Sequence, residues 1–401
     1  MSTAIPPVSS KLFGLFCLAS YLLSLSYGST FLLSLLIGSR GGNEQDAGSV
    51  ISAAMLSTFA AVIGSGHLSD WLGAARSVAL FGLLLVAASL GFALTPGFGH
   101  LLLLFGLLLG LGWGVFYTLG PIIVASLVTP AQRAKYFALL SGSMMTGIGS
   151  GPLLGRAASA LGYPVTAAFY LAALASFMGV LLFWRLDRQL KTAPAQSTVV
   201  SRISWHAAAR VLSSRAVFPI IMVGLGGCVF GGLSSFQTSY AAQRSLDYSL
   251  FFLGFMSAAI SGRLLIAGVV VKRDPLRASC LLSGLMLGSI LMFGFMVNDG
   301  FSYVLAAVML GIGYGLTYSV INGLAANEAP SGTTAQSLLL FSLSYFIGVF
   351  GFPLLAGKII VEHGMATLLL TVMAVASLNW LITVGRLTWR RITAVKALQR
   401  A

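Results

Sequence analysis

Charged residues are scarce in this sequence, and acidic residues are the scarcest. Of its 401 residues 8% are charged, and 9 Asp and Glu stand against 23 Lys and Arg. Because a soluble domain carries about 25% charged residues, this composition excludes an ordinary soluble enzyme, a nucleic-acid-binding module and a disordered chain. With 57% hydrophobic residues and a mean hydropathy of +0.95, the sequence predicts an integral membrane protein.

The sequence is also poor in cysteine and lacks the motifs of common catalytic sites. Cys17, Cys228 and Cys280 fall in or beside apolar stretches, with no CxxC pair and no Cys/His cluster. Neither a disulfide framework nor a metal site is therefore predicted. A Walker loop, a nucleophile elbow and paired intramembrane aspartates are all missing, which argues against an enzyme or an ATP-driven pump. We predict no catalytic residue, no metal and no cofactor.

Apolar stretches long enough to cross a membrane occupy most of the chain. A bilayer-spanning helix needs about 20 apolar residues, whereas barrel strands would be shorter and would alternate apolar with polar residues. The sequence predicts an all-α membrane protein with twelve spans. They are residues 12–38, 49–68, 78–94, 101–124, 136–158, 165–186, 216–240, 249–271, 279–297, 303–325, 335–360 and 366–386.

Basic residues are distributed unevenly between the connections. Twelve spans place both termini on one side; with the termini inside, 18 of the 23 Lys and Arg are cytoplasmic and 4 are external. This asymmetry follows the positive-inside rule. It predicts a protein of the plasma (inner) membrane with cytoplasmic N- and C-termini. The basic residues that give the net charge of +14 then set the orientation in the membrane and contact anionic lipid headgroups. No basic surface for nucleic acid is predicted.

The chain repeats itself after half its length. GLGWGVFYTLGPIIVAS from Gly110 returns as GIGYGLTYSVINGLAAN from Gly311, an offset of 201 residues. The register continues without a gap to Pro152 and Pro353. We infer a duplication into two six-helix bundles, residues 1–186 and 216–401. The cytoplasmic linker between them, 187–215, ends in a short amphipathic segment that predicts an interfacial helix.

A loop motif follows the second span. GHLSDWLG runs from Gly66 to Gly73 and is followed by Arg76. It resembles the signature G-x-L-x-D-(R/K)-x-G-(R/K) of the major facilitator superfamily, although Trp71 replaces the first basic residue and Arg76 comes one place late. The resemblance implies that Asp70 helps to latch the two halves on the cytoplasmic side. We expect Asp70 at the N-terminal end of span three, where the helix dipole favours an acid.

Span five carries a second motif, GIGSGPLLG. It resembles the G-x-x-x-G-P-x-x-G motif of antiporters and drug-efflux proteins in the same superfamily. Helix packing is an equally good interpretation, because small residues let helices approach closely and proline bends them. The resemblance implies two pseudo-symmetric six-helix bundles around a cavity lined by spans one, four, seven and ten. The matching residues are Gly147, Gly151, Pro152 and Gly155.

Arg263 is the only charged residue in the interior of a predicted span, and no Asp or Glu lies inside one. The other basic residues within span bounds fall within three residues of a span end; they are Arg156, Arg185, Lys358 and Arg386. An intramembrane charge is a functional candidate by default, and a guanidinium is suited to hold a carboxylate in a bidentate fork. Several anion carriers of the superfamily are similar in using an arginine on span eight. The competing interpretation is that Arg263 snorkels to the inner face or bonds free backbone carbonyls.

Other polar and aromatic residues follow the same spans at helical spacing. Such stripes avoid lipid, and aromatic rings with hydroxyls or amides would bind a planar or amphipathic solute. The alternative is hydrogen bonding between helices. Together with Arg263, the predicted substrate-binding residues are Tyr27, Tyr117, Gln237, Tyr240, Tyr318, Asn322 and Tyr345.

Two functions remain in competition. The first is a secondary transporter that moves a small anionic, carboxylate-bearing or amphipathic metabolite by alternating access. The second is a proton-coupled efflux antiporter for drugs or siderophore-like metabolites, which the span-five motif favours and the lack of an intramembrane acid disfavours. H+ or Na+ is the candidate co-transported ion, the lipid bilayer is the other partner, and a monomer is sufficient for either function.

Overall fold

The computed structural model describes residues 10–97, 99–128, 132–190, 204–266 and 274–398, and every regular element in these ranges is helical. The last part of predicted span eight, 267–271, and most of the predicted linker, 191–203, lie outside the described residues. The first half of the chain contains α1 (Ser10–Ser29), α2 (Leu33–Gly38), α3 (Glu44–Leu72), α4 (Ala74–Leu94), α5 (Leu101–Leu127), α6 (Arg133–Ala160) and α7 (Thr166–Leu190).

The second half begins with a short helix and then repeats the order of long helices. Two of these helices continue into π-helical turns: Gly262–Ile266 follows the helix Ser249–Ser261, and Ile347–Gly351 follows the helix Thr334–Phe346. The helices are α8 (Trp205–Leu212), α9 (Val217–Ser235), α10 (Gln237–Ala242), α11 (Ser249–Ser261), α12 (Pro275–Phe295), α13 (Gly300–Asn327), α14 (Thr334–Phe346) and α15 (Phe352–Leu398).

Polar caps fix where several of these helices begin. Asn43 and Asp46 bond each other's backbone N–H groups at 3.1 and 2.9 Å, which forms a capping box at the start of α3. Asp299 starts α13 in the same way with Ser302. The α8 helix coincides with the predicted interfacial segment, and it exposes Trp205 while Val211 is buried.

Ten helices of the described residues are long and apolar enough to cross a membrane. The tenth runs over 60 residues, Thr334–Thr393, and Gly364 breaks it with a backbone φ of 84°. A shorter apolar helix, Ser249–Leu265, lies at predicted span eight. The broken helix and the short helix account for the difference from twelve, so the count of twelve stays a prediction.

The packing divides the chain into two compact units. The first consists of Met1–Arg202 with Pro353–Lys358, and the second of Ile203–Phe352 with Ile359–Ala401. Inside the first unit, the short segment from α15 packs on the start of α3. There a Cβ added at Gly48 would lie 2.2 Å from the Pro353 carbonyl oxygen.

Equivalent close contacts at glycine occur inside each of the two units. A Cβ added at Gly110 would lie 2.2 Å from the Ala54 carbonyl oxygen, and one at Gly311 would lie 2.3 Å from that of Phe255. Gly311 lies 201 positions after Gly110, and Phe255 lies 201 positions after Ala54. The duplication inferred from sequence is therefore also a duplication of helix contacts. The same offset relates the contact of Gly112 with Phe81 to that of Gly313 with Leu282, and the contact of Gly114 with Thr58 to that of Gly315 with Ala259.

Candidate functional site

Arg263 lies in the π-helical turn that continues α11, with its side chain half-buried. Its Nε donates a hydrogen bond of 3.2 Å to the Gly315 carbonyl oxygen of α13. Its Cζ lies 5.3 Å from the ring centroid of Tyr318, within cation–π range. One carbonyl and one aromatic face therefore orient the guanidinium. π-Helical turns occur often at functional sites.

Tyr318 joins Arg263 to two further aromatic rings. It meets Tyr345 edge-on at a centroid distance of 5.5 Å and Phe341 at 5.4 Å, both from α14. We call Arg263, Tyr318 and Tyr345 the arginine–tyrosine cluster. It combines a permanent positive charge with aromatic faces, which is the chemistry that holds a carboxylate attached to an apolar or planar body. The structure thus brings together three of the predicted substrate-binding residues.

Gln237 and Tyr240 belong to a different cluster of the second unit. The Tyr303 hydroxyl donates to Gln237 Oε1 at 2.6 Å, and the Tyr240 hydroxyl donates to the Phe293 carbonyl oxygen at 2.7 Å. The Arg244 guanidinium lies 4.0 Å over the Tyr240 ring. Gln237 and Tyr240 are buried, and these hydrogen bonds connect α10 with α12 and α13.

The two clusters lie far apart along α13. Tyr303 and Tyr318 are separated by 15 residues of one helix, which corresponds to about 22 Å at 1.5 Å per residue. A small solute held at the arginine–tyrosine cluster would not reach Gln237 or Tyr240. A substrate-binding role for these two residues remains a prediction, distinct from the one made for Arg263.

Tyr27 and Tyr117 flank Trp113 in the first unit. The rings of Tyr27 and Trp113 are stacked at 4.7 Å, and those of Trp113 and Tyr117 are tilted at 6.2 Å. A stacked pair also occurs in the second unit, where Phe230 lies 5.1 Å from Tyr314. Trp113 and Tyr314 are related by the same offset of 201 residues. Each unit therefore carries an aromatic stack between its first and fourth long helices.

Two buried polar residues deserve a place beside the predicted set. Asn379 of α15 is fully buried, and Thr317 of α13 lies next to Tyr318 in sequence. The predicted set does not include Asn379, although an amide in the middle of an apolar stretch is a visible signal. The predicted residue Asn322 is half-buried one turn beyond Tyr318.

A sequence profile described as Major Facilitator Superfamily matches residues 13–353, most of the chain. The chain belongs to the Major Facilitator Superfamily. It is therefore a secondary transporter and an integral multi-pass membrane protein, not an enzyme. No curated protein matches the chain in sequence.

Solved transporter structures share the MFS fold with this chain. The human organic anion transporter MFSD10 (TETRAN) has a TM-score of 0.70 and 17% identity over 93% of this chain and 99% of its own. A peptide transporter POT has a TM-score of 0.75 and 18% identity over 95% and 96%. The E. coli fucose:proton symporter FucP has 0.64 and 14% over 93% and 98%. At these identities the likeness shows the fold alone.

The MFS loop motif is placed differently from our expectation. Asp70 lies in the last turn of α3 rather than at the N-terminal end of the next helix, because α3 continues to Leu72. Gly73, with a φ of 85°, then separates α3 from α4. Since helix C-termini carry a partial negative charge, the dipole does not stabilise Asp70. Gly66 is buried within α3, and the latch role of the motif remains a prediction.

Arg76, the basic residue of the same motif, bonds within the first unit. Its Nε donates to Asp187 Oδ2 at 3.3 Å, which connects the start of α4 to the last turns of α7. This ion pair joins spans three and six at the predicted cytoplasmic end. Asp187, expected at the start of the linker, instead lies inside α7, which extends to Leu190.

The span-five glycines of this MFS protein pack α6 tightly against α1. A Cβ at Gly147 would lie 2.2 Å from the Tyr21 carbonyl oxygen, and one at Gly151 would lie 2.4 Å from the Gly28 carbonyl carbon. Gly155 faces Leu32 in the turn after α1, and Pro152 lies inside α6. These contacts describe helix packing. A role of the motif in antiport remains a prediction.

Ion pairs connect helix ends in the second unit. Arg386 Nη2 donates to Glu328 Oε1 at 2.5 Å, and Arg390 bonds Asp274 through both of its terminal nitrogens. The hydrogen bonds from Arg390 lower the pKa of Asp274 to about 2. These pairs connect α15 with α13 and with the start of α12. Among the described residues, no group of three or more His, Cys, Asp or Glu could hold a metal ion.

Proposed function

We propose that this MFS protein transports a small organic anion, in particular an amphipathic or planar metabolite that bears a carboxylate. Alternating access of its two six-helix halves would carry the solute across the bilayer. Arg263 would bind the carboxylate, and Tyr318 and Tyr345 would contact the body of the solute. Tyr27, Tyr117 and Asn322 are secondary candidates for solute contacts.

One observation carries this proposal. Arg263 is a permanent cation within an apolar helix, held at its Nε by a backbone carbonyl and facing the Tyr318 ring. None of the nine acidic residues lies inside a predicted span. A charge at this depth is costly to keep, and an anionic solute would interact favourably with it. The Gly315 carbonyl supports the competing structural role, so the experiment must separate the two.

The experiment is a ligand-dependent thermal shift of the purified protein in detergent. Pairs of solutes that differ only in a carboxylate and its neutral primary amide are compared at two pH values. Bound ligand stabilises by RT ln(1 + [L]/Kd), about 2.7 kcal/mol at 100 Kd. We expect carboxylates, and not their amides, to raise the melting temperature. Flux into proteoliposomes then shows whether a stabilising carboxylate is transported.

Arg244 supplies a matched control, because it is also an arginine stacked on a tyrosine of the second unit. We expect Arg263→Ala to abolish the carboxylate-dependent shift and Arg244→Ala to preserve it. Both ligand-free variants should melt near the wild-type temperature. An unchanged carboxylate response in Arg263→Ala would assign Arg263 to the structural role.

Proton-coupled efflux remains a second candidate, favoured by the motif from Gly147 to Gly155. It requires uphill movement of solute driven by a pH gradient, which can be imposed on the same proteoliposomes. A Na+ gradient in parallel tests the other coupling ion. We also propose that the protein resides in the inner membrane with both termini in the cytoplasm, as the distribution of basic residues indicates.

A further inference from the structure

A groove lies between the first and last long helices of the first unit. Its volume is about 620 Å³, within the ~300–1,000 Å³ range of ligand sites. Each helix contributes one exposed basic side chain, Lys11 from the start of α1 and Arg185 from near the end of α7. Two positive charges therefore meet at one groove. The residues that line it are Lys11, Leu12, Leu15, Arg185 and Gln189.

Close packing further along the two helices holds them side by side. The rings of Phe16 and Phe183 meet edge-on at a centroid distance of 5.7 Å, and the hydroxyls of Ser26 and Ser176 are hydrogen-bonded at 2.5 Å. The contact positions rise along α1 while they fall along α7, so the two helices are antiparallel. The two basic residues consequently lie at the same end of the helix pair, which is the predicted cytoplasmic end.

No acidic residue of the described chain pairs with either basic residue. Within the described ranges, Lys11 and Arg185 take part in no ion pair. Asp187, the nearest acid along α7, is 7% exposed and accepts a hydrogen bond of 3.3 Å from Arg76. The sequences before α1 and after α7, residues 1–9 and 191–203, contain no Asp or Glu. The charge of the groove therefore favours an anionic partner from outside the chain.

An apolar stripe follows each basic residue toward the membrane interior. Side chains three and four residues apart share one face of a helix, and antiparallel packing makes the two stripes run in the same direction. Trp184, exposed beside Arg185, is typical of the membrane–water interface. The stripe residues, exposed or half-buried, are Leu181, Met178 and Leu174 on α7 and Leu15 and Leu18 on α1.

We propose that this groove binds an anionic phospholipid of the cytoplasmic leaflet. Lys11 and Arg185 hold the phosphate of the headgroup, and the acyl chains lie along the two apolar stripes. A guanidinium suits the phosphate through its planar fork, and an ammonium supplies a compact charge. Basic pockets between transmembrane helices on the cytoplasmic side bind such headgroups. The site is separate from the arginine–tyrosine cluster, and the inference does not depend on the nature of the solute.

Titration of the purified protein with single lipids, followed by native mass spectrometry, tests the site. Palmitoyl-oleoyl phosphatidylglycerol is compared with phosphatidylcholine that has the same chains and no net charge. We expect the first phosphatidylglycerol to bind at least about tenfold more tightly, because each basic group near an anionic headgroup contributes roughly fivefold. Equal affinities for the two lipids would overturn the proposal.

Two double variants locate the bound lipid. Lys11→Gln/Arg185→Gln removes both charges of the groove, whereas Arg210→Gln/Arg391→Gln removes two exposed charges that do not line it. Both variants should melt near the wild-type temperature, because exposed substitutions change stability little. We expect only the groove variant to bind phosphatidylglycerol more weakly, by about 10- to 25-fold. Equal affinities in the two variants would contradict the assignment to this groove, and if the groove variant does not fold the wild-type comparison of lipids decides.

Two further probes distinguish a lipid from a free anion. Inorganic phosphate offers the charge without chains, and dihexanoyl phosphatidylglycerol offers the headgroup with short chains. Because each buried CH₂ contributes about fourfold to affinity, we expect both probes to compete at least tenfold less well than the full-length lipid. Displacement of the full-length lipid by an equal concentration of inorganic phosphate would make the groove a simple anion site and overturn the proposal.

Discussion

At the scale of single residues, the environment of Arg263 combines two kinds of contact. The Gly315 carbonyl fixes the Nε, and the Tyr318 ring lies on one side of the guanidinium. A carboxylate binds best to a guanidinium in a bidentate fork, so the neighbours that orient Arg263 would also set the geometry of anion binding. Tyr318 is itself positioned by Tyr345 and Phe341. An effect of Tyr318 on anion affinity would then act through Arg263 as well as through direct contact with the solute.

Substitution of Tyr318 separates its ring from its hydroxyl. Tyr318→Phe keeps a ring below Arg263, whereas Tyr318→Leu removes it. A cation–π contact contributes about 0.5–1 kcal/mol at partly exposed sites, which corresponds to roughly 2- to 5-fold in affinity. We expect Tyr318→Leu to weaken carboxylate binding by this factor and Tyr318→Phe to leave it nearly unchanged, as measured by titration of the thermal shift. Equal losses in both variants would instead assign the effect to the hydroxyl.

Sequence patterns identified residue types well and residue neighbours poorly. Arg263 and Tyr318 were predicted because a charge and an aromatic stripe are visible in apolar spans. That Gln237 bonds Tyr303 was not predictable, because the partner lies 66 positions away and depends on how α10 meets α13. The same limit applies to Asn379. Its complete burial is a property of the packed helices and not of its sequence neighbours.

At the scale of helices, glycines set how closely neighbours approach. Gly311 of α13 packs against the α11 backbone, with no room for a Cβ at 2.3 Å from the Phe255 carbonyl oxygen. Gly323 of the same helix has nothing within 4 Å of an added Cβ. Membrane helices without a hydrophobic driving force between them depend on such close packing.

These two glycines form a matched pair for a stability test. We expect Gly311→Ala to destabilise the protein by about 1–3 kcal/mol or more, because the helices must separate. Gly323→Ala should change stability by no more than about 0.5 kcal/mol. Thermal unfolding in one detergent measures both. The packing argument fails if the two variants melt at the same temperature.

Asp274 caps the start of α12, and its ion pair with Arg390 predicts that the stability of the protein depends on pH in the acid range. Because Arg390 lowers the pKa of Asp274 from 3.8 to about 2, the stability that the pair contributes is present above pH 4. It is lost as the pH falls toward 2 and the carboxylate becomes protonated. Asp274→Asn keeps a good cap residue and removes the charge. The melting temperatures of the wild-type protein and of Asp274→Asn are compared from pH 6 to pH 2.5. The wild type should melt at a higher temperature at pH 6, and the difference should shrink below pH 4. A constant difference would contradict the role of the charge.

Helix positions followed from hydropathy, while helix ends required local geometry. The apolar stretches locate the long helices because burial in lipid favours them wherever about 20 apolar residues occur. The end of α3 was placed too early, since Ser69, Asp70 and Trp71 are polar or aromatic yet remain in the helix, which continues to Leu72. The π-helical turn at Arg263 has no signature in composition.

At the scale of the whole chain, the duplication is retained in the helix contacts and lost in the polar side chains. Contacts of Gly110 and Gly311 are equivalent, and so are the stacks at Trp113 and Tyr314. Arg263 has Val62 at its equivalent position. The two halves therefore share a packing scheme, whereas the intramembrane charge belongs to the second half. We expect solute discrimination to depend mainly on the second half.

The uneven distribution of basic residues predicts the orientation of the chain, and single cysteines test it. Asn298 lies in the exposed connection between α12 and α13, and His206 lies on the exposed face of α8. In a background without Cys17, Cys228 and Cys280, we expect a membrane-impermeant maleimide to label Asn298→Cys in intact cells. The same reagent should label His206→Cys only after permeabilisation, because α8 belongs to the linker that is predicted to be cytoplasmic. The unsubstituted background provides the blank. The reverse pattern would invert the topology and place 18 of the 23 basic residues outside, against the charge rule from which the orientation was inferred.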